Sequence, residues 1–176
     1  MKKTLIVIDM QNDFVYGPLG TPEAKAIVPN VKKKIEEYRK NFEDVVFTFD
    51  VHDENYIYTH EGRRLPIEHC MTNNPHGYAL IVPDIAGESV LAKSTFGTLD
   101  LQHLAYVKWS QIIEVIGVCT DICVVSNALL LRTLYPEADI IVDASCCAGT
   151  TPERHKAALE VMKSCHIDVI NEGETK

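Results

Sequence analysis

Cys123 lies a few residues beyond a Val/Ile-rich run, at the beginning of the helical pattern Asp121 to Leu134. Free backbone N–H groups and the helix dipole at such a start favour a thiolate. A thiol of ordinary pKa ~8.5 still needs a base to take its proton and a cation to favour the anion. Asp9 closes the first apolar run and Lys93 the third, so Asp9 is the candidate base and Lys93 the candidate cation. The same Asp would later hand its proton to a leaving amine. Cys119 sits four positions before Cys123, and the two backbone N–H groups are candidates for an oxyanion hole. The chemistry this set suits is attack of sulfur on an acyl carbon.

A second group has the residue types of a metal site. Asp50-Val51-His52 puts two ligand-type side chains on one side of an extended segment, because side chains alternate with period two, and His69 follows seventeen residues after His52. One carboxylate and two imidazoles, with further positions left to water or substrate, suit a divalent transition metal. The spacing alone leaves open two surface histidines beside an aspartate.

The elements that must position these residues are legible in the apolar pattern. Val/Ile-rich runs at about 4–9, 44–49, 88–92, 112–117, 138–143 and 167–171 alternate with helical periods at about 22–41, 121–134 and 152–164, and a shorter one near 99–106. Thr151-Pro152 supplies an N-cap and a first-turn proline for the last helix. The pattern is that of a parallel sheet buried on both faces. In such sheets ligands bind beyond the carboxyl ends of the strands, where Asp9, Asp50, Lys93 and the segment 117–123 fall.

The stretch of about 50–88 fits neither period, contains Pro66, Pro75 and Pro83, and reads as a functional excursion within a single domain over 1–176. With 17 basic and 25 acidic residues and a net charge of -8, nucleic acid is excluded as an expected partner. The apolar run after the amino terminus is too short for a signal peptide, and none approaches the ~18 residues of a membrane span. Six cysteines without paired CxxC spacing read as reduced thiols, which points to a cytoplasmic protein.

Two motifs extend this reading. Leu5-Ile6-Val7-Ile8-Asp9-Met10-Gln11-Asn12-Asp13-Phe14 and Gly117-Val118-Cys119-Thr120-Asp121-Ile122-Cys123-Val124 resemble the opening and nucleophile motifs of the isochorismatase-like cysteine hydrolases. The resemblance implies a three-layer α/β/α Rossmann-like fold with a six-stranded parallel sheet of order 3-2-1-4-5-6. It also implies a catalytic triad of Asp9, Lys93 and Cys123, and a cis peptide between Val118 and Cys119. Thr48-Phe49-Asp50-Val51-His52 and Pro66-Ile67-Glu68-His69-Cys70 resemble the metal-binding segments of the nicotinamidase branch. That resemblance implies Asp50, His52 and His69 as ligands of one divalent ion, with zinc the first choice and iron or manganese the alternatives. Some members supply a further ligand between the last two, for which Glu61 is the preferred match and His60 its rival.

The implied reaction is hydrolysis of nicotinamide to nicotinate and ammonia. Phe14, Val118 and Phe96 are candidates to line the substrate pocket. Many nicotinamidases have Trp three residues before the last His ligand, where this chain has Pro66, so its pocket wall is expected to differ. The alternatives are a hydrolase of another small amide, a metal-free isochorismatase-type enzyme, and a non-catalytic binding protein on the same scaffold. Self-association into a homo-oligomer is expected from the resemblance.

Overall fold

Strands β1 (Lys3–Ile8), β2 (Asp44–Asp50), β3 (Ser89–Lys93), β4 (Ile112–Val118), β5 (Asp139–Ala148) and β6 (Asp168–Ile170) all pair in parallel, in the order β3-β2-β1-β4-β5-β6. The expected six-stranded topology is therefore present. The computed structural model describes residues 2–82, 85 and 87–173; of the prolines singled out above, Pro83 lies outside the described residues. Leu5 to Ile8 of β1 and Ile113, Val115 and Ile116 of β4 are fully buried, as two covering helical layers require.

The helices are α1 (Asn12–Val15), α2 (Pro22–Lys40), α3 (Pro75–Tyr78), α4 (Ala105–Lys108), α5 (Val125–Leu134) and α6 (Pro152–Ser164). Helix α2 packs along β2, β4 and β5, while α5 and α6 pack on each other and on β5. A polar cluster ties α2 to the sheet. Tyr38 donates to Glu114 at 2.7 Å, and the Lys34 ammonium lies 2.8 Å from Glu114 and 3.0 Å from Asp143.

Several boundaries differ from the sequence expectation. Asp9 leaves β1 with φ 48, a left-handed conformation that Asp tolerates better than most residues. The short helix expected near 99–106 is a 3-10 turn over Leu99–His103 followed by α4. Strand β5 runs on to Ala148, past the apolar stretch, because the small residues from Ala144 pass beside Gly117, where the pairing with β4 shifts register. Gly117 itself has φ 121, and a Cβ there would sit 2.1 Å from the Ile8 carbonyl oxygen. Within the irregular stretch, a 3-10 turn at Tyr56–Tyr58, helix α3 and a bridge between His52 and Met71 provide local order. Among the described residues, no helix is long and apolar enough to cross a membrane.

Candidate active site

Three neighbouring strands deliver charge to one point. Asp9 follows β1, Asp50 ends β2 and Lys93 ends β3, where it is the register partner of Asp50. All three side chains are buried. The Lys93 ammonium lies 2.6 Å from Asp9 Oδ2, 3.5 Å from Asp50 Oδ1, and donates to Cys123 Sγ at 3.6 Å. Thr48, one strand over, donates its hydroxyl to Asp9 Oδ1 at 2.7 Å and fixes that carboxylate. Asp9, Lys93 and Cys123, scattered through the sequence, are thus brought together.

Cys123 departs from the helix-start expectation. The segment Thr120–Val124 is a turn of π-helix ahead of α5, and the peptide between Val118 and Cys119 is cis. The sulfur is buried within this turn rather than open at a helix end, and burial, reinforced by the Asp9 charge, pushes its pKa well above the ordinary thiol value; Lys93 opposes the rise. Burial therefore favours the thiol over the thiolate in this site. Asp9 is raised from 3.8, first by burial and also by Asp50, against the pull of Lys93. Burial works to lower the Lys93 pKa, but Asp9, Cys123 and Asp50 more than offset it, so the ammonium stays charged. Cys119 is pushed up to about 12, mainly by burial and then by Asp121.

Beside this cluster, Asp50, His52, Glu61 and His69 each place one donor atom within 4.8 Å of the others. His52 Nε2 lies 2.9 Å, and His69 Nε2 3.6 Å, from Asp50 Oδ2; His69 Nε2 is 3.8 Å from Glu61. His69 donates its Nδ1 proton to the Ile67 carbonyl at 2.8 Å, so Nε2 is the ring atom that faces the acidic groups; with a proton it donates toward Asp50, and without one its lone pair is free for a cation. Two buried imidazoles and two carboxylates fit a divalent cation. Burial would raise the Asp50 pKa, but His52, His69 and Lys93 overcome it and hold the carboxylate far below its ordinary range. Burial likewise works against the charged form of His69, yet the Asp50 hydrogen bond leads the effects that raise its pKa.

Outer bonds hold these side chains in place. The Gln11 side chain takes the Asp50 N–H at 2.7 Å and donates to the Asp50 carbonyl at 2.8 Å, while Asp13 accepts the Cys70 N–H at 2.7 Å next to His69. His60 does not join the donor group, although it lines the adjoining cavity with Glu61.

That cavity measures about 1240 Å³ and reaches Cys123, Cys119, the four donor residues, Phe14 and Phe96. The Phe14 ring is 5.4 Å from His69. Phe96 stands half in solvent at the rim. Val118 is not in the wall; as the last residue of β4 it is packed into the core. Sequence reasoning missed Tyr56. Its buried ring lies 4.5 Å from His52 and 5.0 Å from His69, and its hydroxyl donates to the Leu65 carbonyl at 2.9 Å. It lines the cavity beside the turn that supplies Glu61. Gly62 permits that turn, since a Cβ there would sit 2.0 Å from the Tyr56 carbonyl oxygen. The Gly62 signal was available in the sequence, but nothing linked it to Tyr56.

The isochorismatase domain pattern matches residues 3–173. A nicotinamidase of Schizosaccharomyces pombe is 25% identical over 97% of this chain and 93% of its own length. A probable inactive nicotinamidase of Arabidopsis thaliana is 28% identical over 93% of this chain and 89% of its own. Among solved structures, the pyrazinamidase of Pyrococcus horikoshii in complex with zinc superposes with a TM-score of 0.85 at 27% identity, covering 97% of this chain and 99% of that one.

Proposed function

Since the chain belongs to the isochorismatase family, we propose that it is a metal-containing cysteine amidohydrolase that converts nicotinamide and water to nicotinate and ammonia through a thioester on Cys123. The observation that carries this reading is the Lys93 ammonium held between Asp9, Asp50 and the Cys123 sulfur. A binding protein has no use for a buried cation placed against both a base and a nucleophile.

Asp9 takes the proton from the Cys123 thiol, and Lys93 stabilises the thiolate as it forms. Sulfur attacks the carboxamide carbon, and the N–H groups of Cys119 and Cys123 hold the oxyanion. Asp9 returns the proton to the amide nitrogen, ammonia leaves, and the acyl group remains as a thioester. Asp9 then deprotonates the water that hydrolyses the thioester and releases nicotinate. Asp50, His52, Glu61 and His69 would hold the divalent ion, zinc in the first instance, whose positive charge serves to orient the pyridine nitrogen beside the thiol. Phe14 and Tyr56 supply aromatic walls suited to a flat heteroaryl amide.

Ammonia release from nicotinamide by the zinc-supplemented protein tests the reading. Wild type should turn over and Cys123→Ala should not. A wild type that leaves nicotinamide untouched sinks the substrate assignment, and a fully active Cys123→Ala sinks the mechanism.

A further inference from the structure

The turn bearing Cys123 is braced by residues outside the triad. Asp121, two residues before the nucleophile, accepts the Thr150 N–H at 2.8 Å with one carboxylate oxygen and the Thr150 hydroxyl at 2.6 Å with the other. The buried Thr120 hydroxyl pairs with His155 Nδ1 at 2.8 Å. Both partners belong to the loop leading into α6 and to its first turn, where Thr151 caps the helix by accepting the Arg154 N–H. Close approach depends on Gly149: a Cβ there would lie 2.9 Å from both Asp121 Oδ1 and the His155 nitrogen. Within the turn, the Ile122 and Val124 N–H groups both go to the Cys119 carbonyl, at 3.1 and 3.0 Å. The side chains of Thr120 and Asp121 add the ties that join this turn to the start of α6. Thr150 and Arg154 face the same cavity as Cys119 and Cys123.

We propose that Asp121 is a positioning residue, which by gripping Thr150 keeps the N–H groups of Cys119 and Cys123 aimed at the point where negative charge develops on the substrate carbonyl. Asp121 touches no reacting atom and moves no proton. The inference rests on Cys123 as nucleophile with this oxyanion hole, and it does not depend on nicotinamide being the substrate.

Two reagents separate positioning from thiol activation. Acylation by 4-nitrophenyl acetate passes through an oxyanion as sulfur bonds to the acetyl carbon and 4-nitrophenolate departs. Alkylation by iodoacetamide forms the carbon–sulfur bond as iodide leaves and needs no oxyanion hole. Rates are taken as the part lost in Cys123→Ala, which removes the contribution of the other thiols. Asp121→Ala should slow acylation by about 10–100-fold, short of the ~10²–10³ for outright loss of an oxyanion donor, with alkylation within about threefold. Asp121→Asn, which can keep both hydrogen bonds to Thr150, should restore most of the acylation rate and controls for folding. Equal slowing of both reactions, no slowing of either, or an Asp121→Asn as impaired as Asp121→Ala overturns the proposal. Failure of wild type on nicotinamide would overturn the substrate reading alone.

Discussion

Replacing Lys93 with Met removes the charge that the site is built around while keeping the length of the side chain. At an effective dielectric of ~20, an ammonium 3.6 Å from the Cys123 sulfur favours the thiolate by about 4.6 kcal/mol. The same charge 2.6 Å from Asp9 is worth about 6 kcal/mol to that carboxylate. Asp9, already raised by burial and by Asp50, would lose its cation in the variant and shift further toward its protonated form. Its neutralisation relieves part of the repulsion on the thiolate, so the net loss of thiolate stabilisation should be about 2.7 kcal/mol, or ~10²-fold in the thiolate fraction. Below the thiol pKa the rate of thiolate chemistry follows that fraction, so Cys123-dependent alkylation by iodoacetamide at pH 7.5 should fall ~10²-fold. Amide hydrolysis should fall further, because the base is lost as well. Breaking a buried pair also costs about 3–5 kcal/mol of stability, and a thermal melt establishes that the variant is folded at the assay temperature. Alkylation slowed by less than tenfold in folded Lys93→Met would refute the reasoning.

Glu61→Ala should weaken zinc binding in calorimetric titration by more than the ~10–100-fold of a lost outer hydrogen bond, whereas His60→Ala should leave it within about threefold; equal effects would remove Glu61 from the donor set. Gly62→Ala must displace the turn that carries Glu61, since its Cβ would fall 2.0 Å from the Tyr56 carbonyl oxygen. Zinc affinity should drop while Cys123 alkylation of the metal-free protein stays unchanged, and intact affinity would show that the turn is not built around that contact. Lys34→Met should cost ~3 kcal/mol of stability at pH 7 by leaving Glu114 and Asp143 unpaired. Although burial opposes it, Ser145 and Lys34 hold the Asp143 pKa below its ordinary 3.8. A depressed carboxylate pKa contributes stability that is full above the unfolded value and is lost as pH falls through the folded one. The difference between wild type and Lys34→Met in urea unfolding should therefore narrow below pH ~3.8, and a constant gap down to pH 3 would contradict it.

The parts of the fold carried by long apolar runs were readable from the sequence. Runs such as Leu5–Ile8 and Ile112–Ile116, short and rich in β-branched residues although the second contains Glu114, favour strands buried on both faces, and the ends of the first three strands put Asp9, Asp50 and Lys93 on one edge. The extension of β5 to Ala148 was not readable, because small residues carry no period; the proximity of Gly117 decides it. Nor was the state of Cys123. A helix-start position suggested an activated thiolate, but the π turn buries the sulfur, and desolvation is not visible in spacing. Between His52 and His69 the chain is ordered by single contacts, Tyr56 against two imidazoles and Gly62 beneath its carbonyl, which leave no repeating signal.

One carboxylate joins the two halves of the site. Asp50 turns Oδ1 toward Lys93 and Oδ2 toward both imidazoles. Were Asp50 to share its charge with a divalent ion held by this group, its hold on the ammonium would loosen and more of that positive charge would be left for the sulfur. Such coupling is reciprocal: whatever factor the ion applies to the acidity of Cys123, ionising Cys123 applies to the affinity for the ion. The sulfur is charged only in the thiolate that precedes attack, since burial keeps the resting group a neutral thiol and a thioester is neutral as well, so the coupling would act at that one step: a bound ion would ease the ionisation of Cys123 and would be held most tightly while the thiolate lasts.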